Sequence, residues 1–176
     1  MENSKPNSTN VAFKWALISF VVGIVFMYLW QFMNVPQTSP IKWIGYVAFI
    51  AFLLLAQKEF RDQLGGFISF GDAFLAGFLF SVFAGILSAI FIYVYYSYLS
   101  PQVYQQVLDA QRAAMEAKNM PSDQVDQGMK IMNNYGIIIT TGMVVVLTPI
   151  IGAVIALIGA AIFKKERSIL DIERQA

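Results

Sequence analysis

The chain has no cysteine and no histidine among its 176 residues. Those two absences remove disulfides, thiolate nucleophiles, imidazole bases, haem ligation by histidine and the common zinc sites together. Ser69 and Ser88 therefore have no imidazole to activate them, and no catalytic, cofactor-binding or metal-binding residue is expected. Charge is also scarce. Asp, Glu, Lys and Arg make up 13% of the chain against 57% hydrophobic residues, with a net charge of +1. Soluble domains carry about 25% charged residues, so this surface is poorly suited to water. A clustered basic face, the usual mark of nucleic-acid binding, is missing too. Gly65-Gly66 lacks the Gly-Lys-Ser/Thr that would make a phosphate loop.

What fills the chain instead is apolar sequence in long runs. No residue from 73 to 108 carries a formal charge, and about 20 apolar residues in a helix match the roughly 30 Å hydrocarbon layer of a bilayer. Four spans are expected, at about 14–33, 41–57, 70–99 and 136–163. The fold class is all-α: an integral membrane four-helix bundle in one membrane domain, with an extramembrane helical segment at 100–135. Residues 1–11 read as a polar disordered tail, and 164–176 as a basic C-terminal tail.

Local signals mark the ends of these segments. Trp15 at one end of the first span, and Tyr28 and Trp30 at the other, suit the headgroup level. The run is longer than a signal-peptide core and no small-x-small cleavage site follows, so it is read as retained. Ser39-Pro40 and Ser100-Pro101 have the form of an N-cap followed by proline in the first helical turn. The apolar part of the second span, 41–56, covers only about 24 Å as a helix; Lys42 and Trp43 anchor its start, and Gly65-Gly66 stops the charged stretch after it. Ser69 and Asp72 form the helix cap of the third span as a capping box, whose exit carries Tyr93, Tyr95, Tyr96 and Tyr98. Between 100 and 135, Val103, Val107, Ala110 and Ala114 recur at helical spacing beside Tyr104, Leu108 and Met115. Pro121-Ser122-Asp123 breaks that segment, and a second short helix is expected to lead into the fourth span. Thr148-Pro149 is expected to interrupt that span as a kink at Pro149. Ile169, Leu170 and Ile172 among the tail's charges suggest a stretch lying along the membrane surface.

Orientation follows from the basic residues. Lys5, Lys14, Lys58, Arg61, Lys164, Lys165, Arg167 and Arg174 fall on one side of four spans; Lys42, Arg112, Lys118 and Lys130 fall on the other. The positive-inside rule then puts both termini in the cytoplasm of a multi-pass protein of the inner (plasma) membrane, and Asn7-Ser8-Thr9 is a chance match to a glycosylation sequon.

The packing signal is a stripe of small residues. Ala73, Gly77, Ser81, Gly85 and Ala89 recur every four positions, and Thr148, Gly152, Ala156 and Ala160 repeat the pattern in the fourth span. Such stripes let backbones approach where lipid supplies no hydrophobic drive. They are expected to face each other, within one chain or between subunits; the competing use is to line a pore. No charged residue lies near the middle of a span, which argues against a proton-coupled carrier.

The run Gly65-Gly66-Phe67-Ile68-Ser69-Phe70-Gly71-Asp72-Ala73, followed by Gly77, the tyrosine-rich exit and Ser100-Pro101, resembles a family known as domain of unknown function 4199. These are small bacterial four-span membrane proteins typical of Bacteroidetes. The resemblance covers the whole chain and implies an inner-membrane location. It supplies no activity, substrate or catalytic residue.

Three roles follow as expectations: a non-enzymatic structural or accessory protein acting through helix packing; a subunit of a small oligomeric channel or transporter; and, least supported by the residues, an intramembrane enzyme. The expected partners are the lipid bilayer and a second copy or another membrane protein. A pore predicts that the hydroxyls of Ser81, Ser88, Thr140, Thr141 and Thr148 converge on water. A packing role predicts that they bond to backbone carbonyls in a dry interior.

Overall fold

In a computed structural model, residues 6–36 and 39–165 are described; the expectations for residues 1–5 and for the tail beyond Lys165 lie outside them. The described residues hold five α-helices and no β-strand: α1 (Ser8–Phe32), α2 (Ile44–Gln63), α3 (Phe70–Val94), α4 (Pro101–Ala117) and α5 (Ser122–Phe163). A 3-10 turn, Pro40–Trp43, leads into α2, and a π-helical turn, Tyr95–Leu99, ends the third span. Four helical segments are long and apolar enough to cross a membrane: Ser8–Phe32, Pro40–Gln63, Phe70–Leu99 and Ser122–Phe163.

The first helix starts inside the stretch read as tail. Asn7 is its N-cap, with Oδ1 accepting from the Thr9 backbone N–H at 2.9 Å, the bond that favours Asn at such positions. Neither Ser39 nor Ser100 makes a side-chain cap bond. Their contribution is an extended or irregular backbone ahead of a proline, whose fixed φ suits a first helical turn. At the end of α2, Gly65 and Gly66 take φ of +78° and +85°, a region open to glycine at little steric cost. The turn lets Gly66 N–H bond back to Arg61 O at 3.0 Å.

The separate short helix expected before the fourth span is not there. α5 runs unbroken for 42 residues, with Pro149 inside it. At 1.5 Å per residue that is about 63 Å, roughly twice the hydrocarbon thickness. Two features carry it through the polar stretch at 133–136. Asn133 Nδ2 turns back to Met129 O at 3.0 Å, and Gly136 is covered by the Tyr104 hydroxyl, which a Cβ there would overlap.

The chain forms two compact units: Met1–Gly85 with Leu147–Ala176, and Ile86–Val146. In the first, α1 and α2 pack along each other. The Lys14 ammonium pairs with the Glu59 carboxylate, which also accepts from Trp15 Nε1 at 2.8 Å and Gln63 Nε2 at 2.9 Å. Aromatic contacts extend the packing, with Trp15 against Phe52, Phe13 against Phe83 and Phe49 against Phe80. Val11, Phe60, Ile68, Ala73, Ala76 and Ala160 form a buried cluster. Beside it Ile68 and Lys165 exchange two backbone hydrogen bonds, at 2.9 and 3.0 Å. In the second unit, Tyr104, Leu108, Val125 and Met129 are the core of the α4–α5 hairpin, with Tyr96, Met115, Met120, Met132 and Ile137 packed around them.

Candidate helix-packing site

The two small-residue stripes meet inside one chain, antiparallel and in step. A Cβ on Gly77 would lie 2.9 Å from Ala156 Cβ, one on Gly152 would overlap the Ser81 side chain, and one on Gly85 would lie 3.2 Å from Thr148 Cβ. Each step of four along α3 is thus matched by a step of four back along α5. Ala73 and Ala160, the next pair in this order, share the buried cluster at one end. Van der Waals contact between backbones this close is the principal attraction available to helices surrounded by lipid. Ala89 is buried in the second unit; within the first unit the α3–α5 stripe contact comprises Ala73, Gly77, Ser81 and Gly85 from α3.

Two of the hydroxyls on these helices, those of Ser81 and Thr141, turn to their own backbones. Ser81, with no exposed surface, donates to Phe78 O at 2.7 Å, and Thr141 donates to Ile137 O at 2.7 Å. Thr148 packs its methyl and Cβ against Gly85, and Pro149 Cδ lies 3.5 Å from where a Gly85 Cβ would sit. Pro149 has no N–H, so the carbonyl one turn earlier lacks its helical donor, yet the α-helix continues through it.

At the start of α3, Ser69 Oγ accepts from the Asp72 backbone N–H at 3.1 Å and donates to Asp72 Oδ2 at 2.7 Å. The box is therefore half of the expected one. The carboxylate takes the serine hydroxyl rather than a backbone donor, and remains exposed at the positive end of the helix dipole.

Sequence reasoning passed over one residue of this site. Gln57, read as the first of a polar stretch, has no exposed surface. Its Nε2 donates to Ala73 O and to Ala156 O, both at 2.9 Å, which joins α2 to α3 and to α5 through one side chain. Gly77 and Gly159 lie against the carboxamide. A signal did exist: Leu53, Ala56, Gln57 and Phe60, the buried face of α2, follow the i, i+3, i+4, i+7 spacing of a helix stripe, with a glutamine standing where an apolar residue is usual.

In the α4–α5 hairpin, Tyr104 donates its hydroxyl to Met132 O at 2.7 Å. Burial pushes its phenol pKa above the ordinary tyrosine value. Arg112 bridges Asp126 at 3.1 Å and Glu116 at 3.7 Å. A recess of about 450 Å³ beside the hairpin core is lined by Ala114, Met115, Met120, Gly128 and Met132, among others. Among the described residues, no group of three His, Cys, Asp or Glu side chains is placed to hold a metal ion.

Four apolar helices of spanning length and an all-helical architecture define a multi-pass membrane protein. Residues 14–165 match the family described as "Protein of unknown function (DUF4199)", and the chain belongs to that family. No curated protein matches the chain, and no solved structure does.

Proposed function

We propose that this protein is a non-enzymatic component of the inner membrane, with both termini in the cytoplasm, acting as a structural or accessory partner through packed helices. The observation that carries this reading is the closed α3–α5 face. Its small residues are engaged within the chain, and the Ser81 and Thr141 hydroxyls are bonded to carbonyls of their own helices. A pore-lining surface needs such hydroxyls turned toward water. The lack of histidine and cysteine anywhere in the sequence also leaves few groups suited to acid–base or nucleophilic chemistry.

The competing reading, a subunit of an oligomeric channel or transporter, makes the opposite forecast in one assay. Purified protein in liposomes is expected to release trapped ions and small solutes no faster than empty liposomes, and a native mass in detergent gives the oligomeric state of the sample tested. Protein-dependent flux would overturn the accessory role. Reporter fusions at the two ends test the orientation, with both expected to report the cytoplasm; opposite sides would refute an even number of crossings.

A further inference from the structure

We infer that Gln57 is a polar pin that sets the register of α2, α3 and α5, and that Gly77 and Gly159 are glycine to admit its carboxamide. This rests on the packing role proposed above and names the residue that gives the packing its specificity.

Small-residue faces bring helices together but fix their axial position weakly, because one methyl or hydrogen resembles the next. An amide is different. Gln57 Nε2 has two hydrogens, and both are used, one on Ala73 O in α3 and one on Ala156 O in α5. Each carbonyl keeps a second lone pair beside its helical bond, so the side chain takes no acceptor away from the helices. A slide of α5 by one residue moves its carbonyls by about 1.5 Å along the axis and about 100° around it, which carries Ala156 O out of reach. The amide orientation is fixed by the same pair, since a flipped carboxamide would set its oxygen against two carbonyl oxygens.

Gln57 Oε1 is buried and, among the described residues, has no hydrogen-bond partner. It points at Gly159, where a Cβ would overlap it, and glycine offers Cα–H groups as weak donors there. On the other side, a Cβ on Gly77 would stand 2.7 Å from Nε2. Both glycines thus face one side chain from two helices. Together with Leu54 Cδ2, 2.7 Å from where a Gly159 Cβ would sit, that accounts for Gly159, which lies outside the four-residue stripe of α5.

The absence of native cysteine makes the register directly measurable. A Gly85→Cys, Thr148→Cys pair, whose Cβ atoms would be 3.2 Å apart, reports the native register in membranes without purification; Gly85→Cys with Ile151→Cys reports a slipped one. With Gln57 present, the first pair is expected to cross-link and the second to stay open. Gln57→Leu is expected to lower the first yield severalfold, raise the second, and reduce the melting midpoint in detergent by about 2–5 °C. Gly159→Ala alone is expected to lower the midpoint, and to cause a clearly smaller loss on top of Gln57→Ala, because the Oε1 it would overlap is gone and only Leu54 Cδ2, 2.7 Å from the new Cβ, still has to shift. Unchanged cross-linking and midpoint in Gln57→Leu, or additive losses in the Gly159 cycle, would overturn the pin. Flux in the liposome assay with these results intact would refute the accessory role and leave the pin standing.

Discussion

The α3–α5 contact in the first unit and the α4–α5 hairpin in the second are both helix pairs that share α5, yet they are built from opposite materials. The first joins Gly77, Ser81 and Gly85 to Ala156, Gly152 and Thr148, residues with almost no side chain. The second joins Tyr104, Leu108, Val125 and Met129, which are large. The contrast is what the proposed extramembrane position of residues 100–135 predicts. Inside lipid an apolar side chain gains little by leaving one oily surface for another, so close backbones and a few hydrogen bonds supply the attraction. Beyond the lipid, water expels apolar area and large side chains are the economical choice. α4 shows this in its outer face, where Gln105, Asp109, Arg112 and Glu116 are exposed while Tyr104 and Leu108 are buried. One continuous helix thus changes its packing chemistry along its length.

If that contrast holds, damage to one unit should register there first. Leu108→Ala is expected to have the largest effect, about 2–5 kcal/mol from lost burial and the cavity left behind. It should speed amide exchange in 101–132, while fluorescence from Trp15, Trp30 and Trp43, all in the other unit, changes little. Gly152→Val should do the reverse, costing about 1–3 kcal/mol by driving side-chain atoms into Ser81, and it should lower the tryptophan-detected melting midpoint. Tyr104→Phe removes the bond to Met132 O and should cost about 0.5–1.5 kcal/mol, read by exchange in the hairpin. Because burial raises the Tyr104 pKa, its contribution is complete below the unfolded tyrosine value and is lost as pH rises through the folded one. Alkaline loosening of the hairpin should therefore be smaller in Tyr104→Phe. Lys14→Gln should have the smallest effect, about 0.2–1 kcal/mol, since the Lys14–Glu59 pair is half exposed. Measured midpoints of the two proteins should converge as salt is added.

The four apolar helices and the all-α class could be read from the chain because lipid imposes length and composition on each segment separately. What required several segments at once was hidden. Gln57 sits beside Lys58, Glu59 and Arg61, and its acceptors lie 16 and 99 positions away, so no local window separates it from the polar end of a helix. The unbroken α5 was hidden for a related reason. Asn133, Asn134 and Gly136 look like a loop until Asn133 is seen bonded to Met129 and Gly136 seen beneath Tyr104. The spacing of the stripes revealed which faces were small, and left open whether their partner was the same chain or another; in the structure Gly85 meets Thr148 of the same chain.

The paired backbone bonds between Ile68 and Lys165 have a mechanical consequence. Tension entering at Lys165 is shared between the backbone leading into α5 and these two bonds, which carry it to the turn ahead of α3. With Lys165 resting over the Phe67 ring, the junction works as a buckle that fastens the end of α5 to the entry of α3.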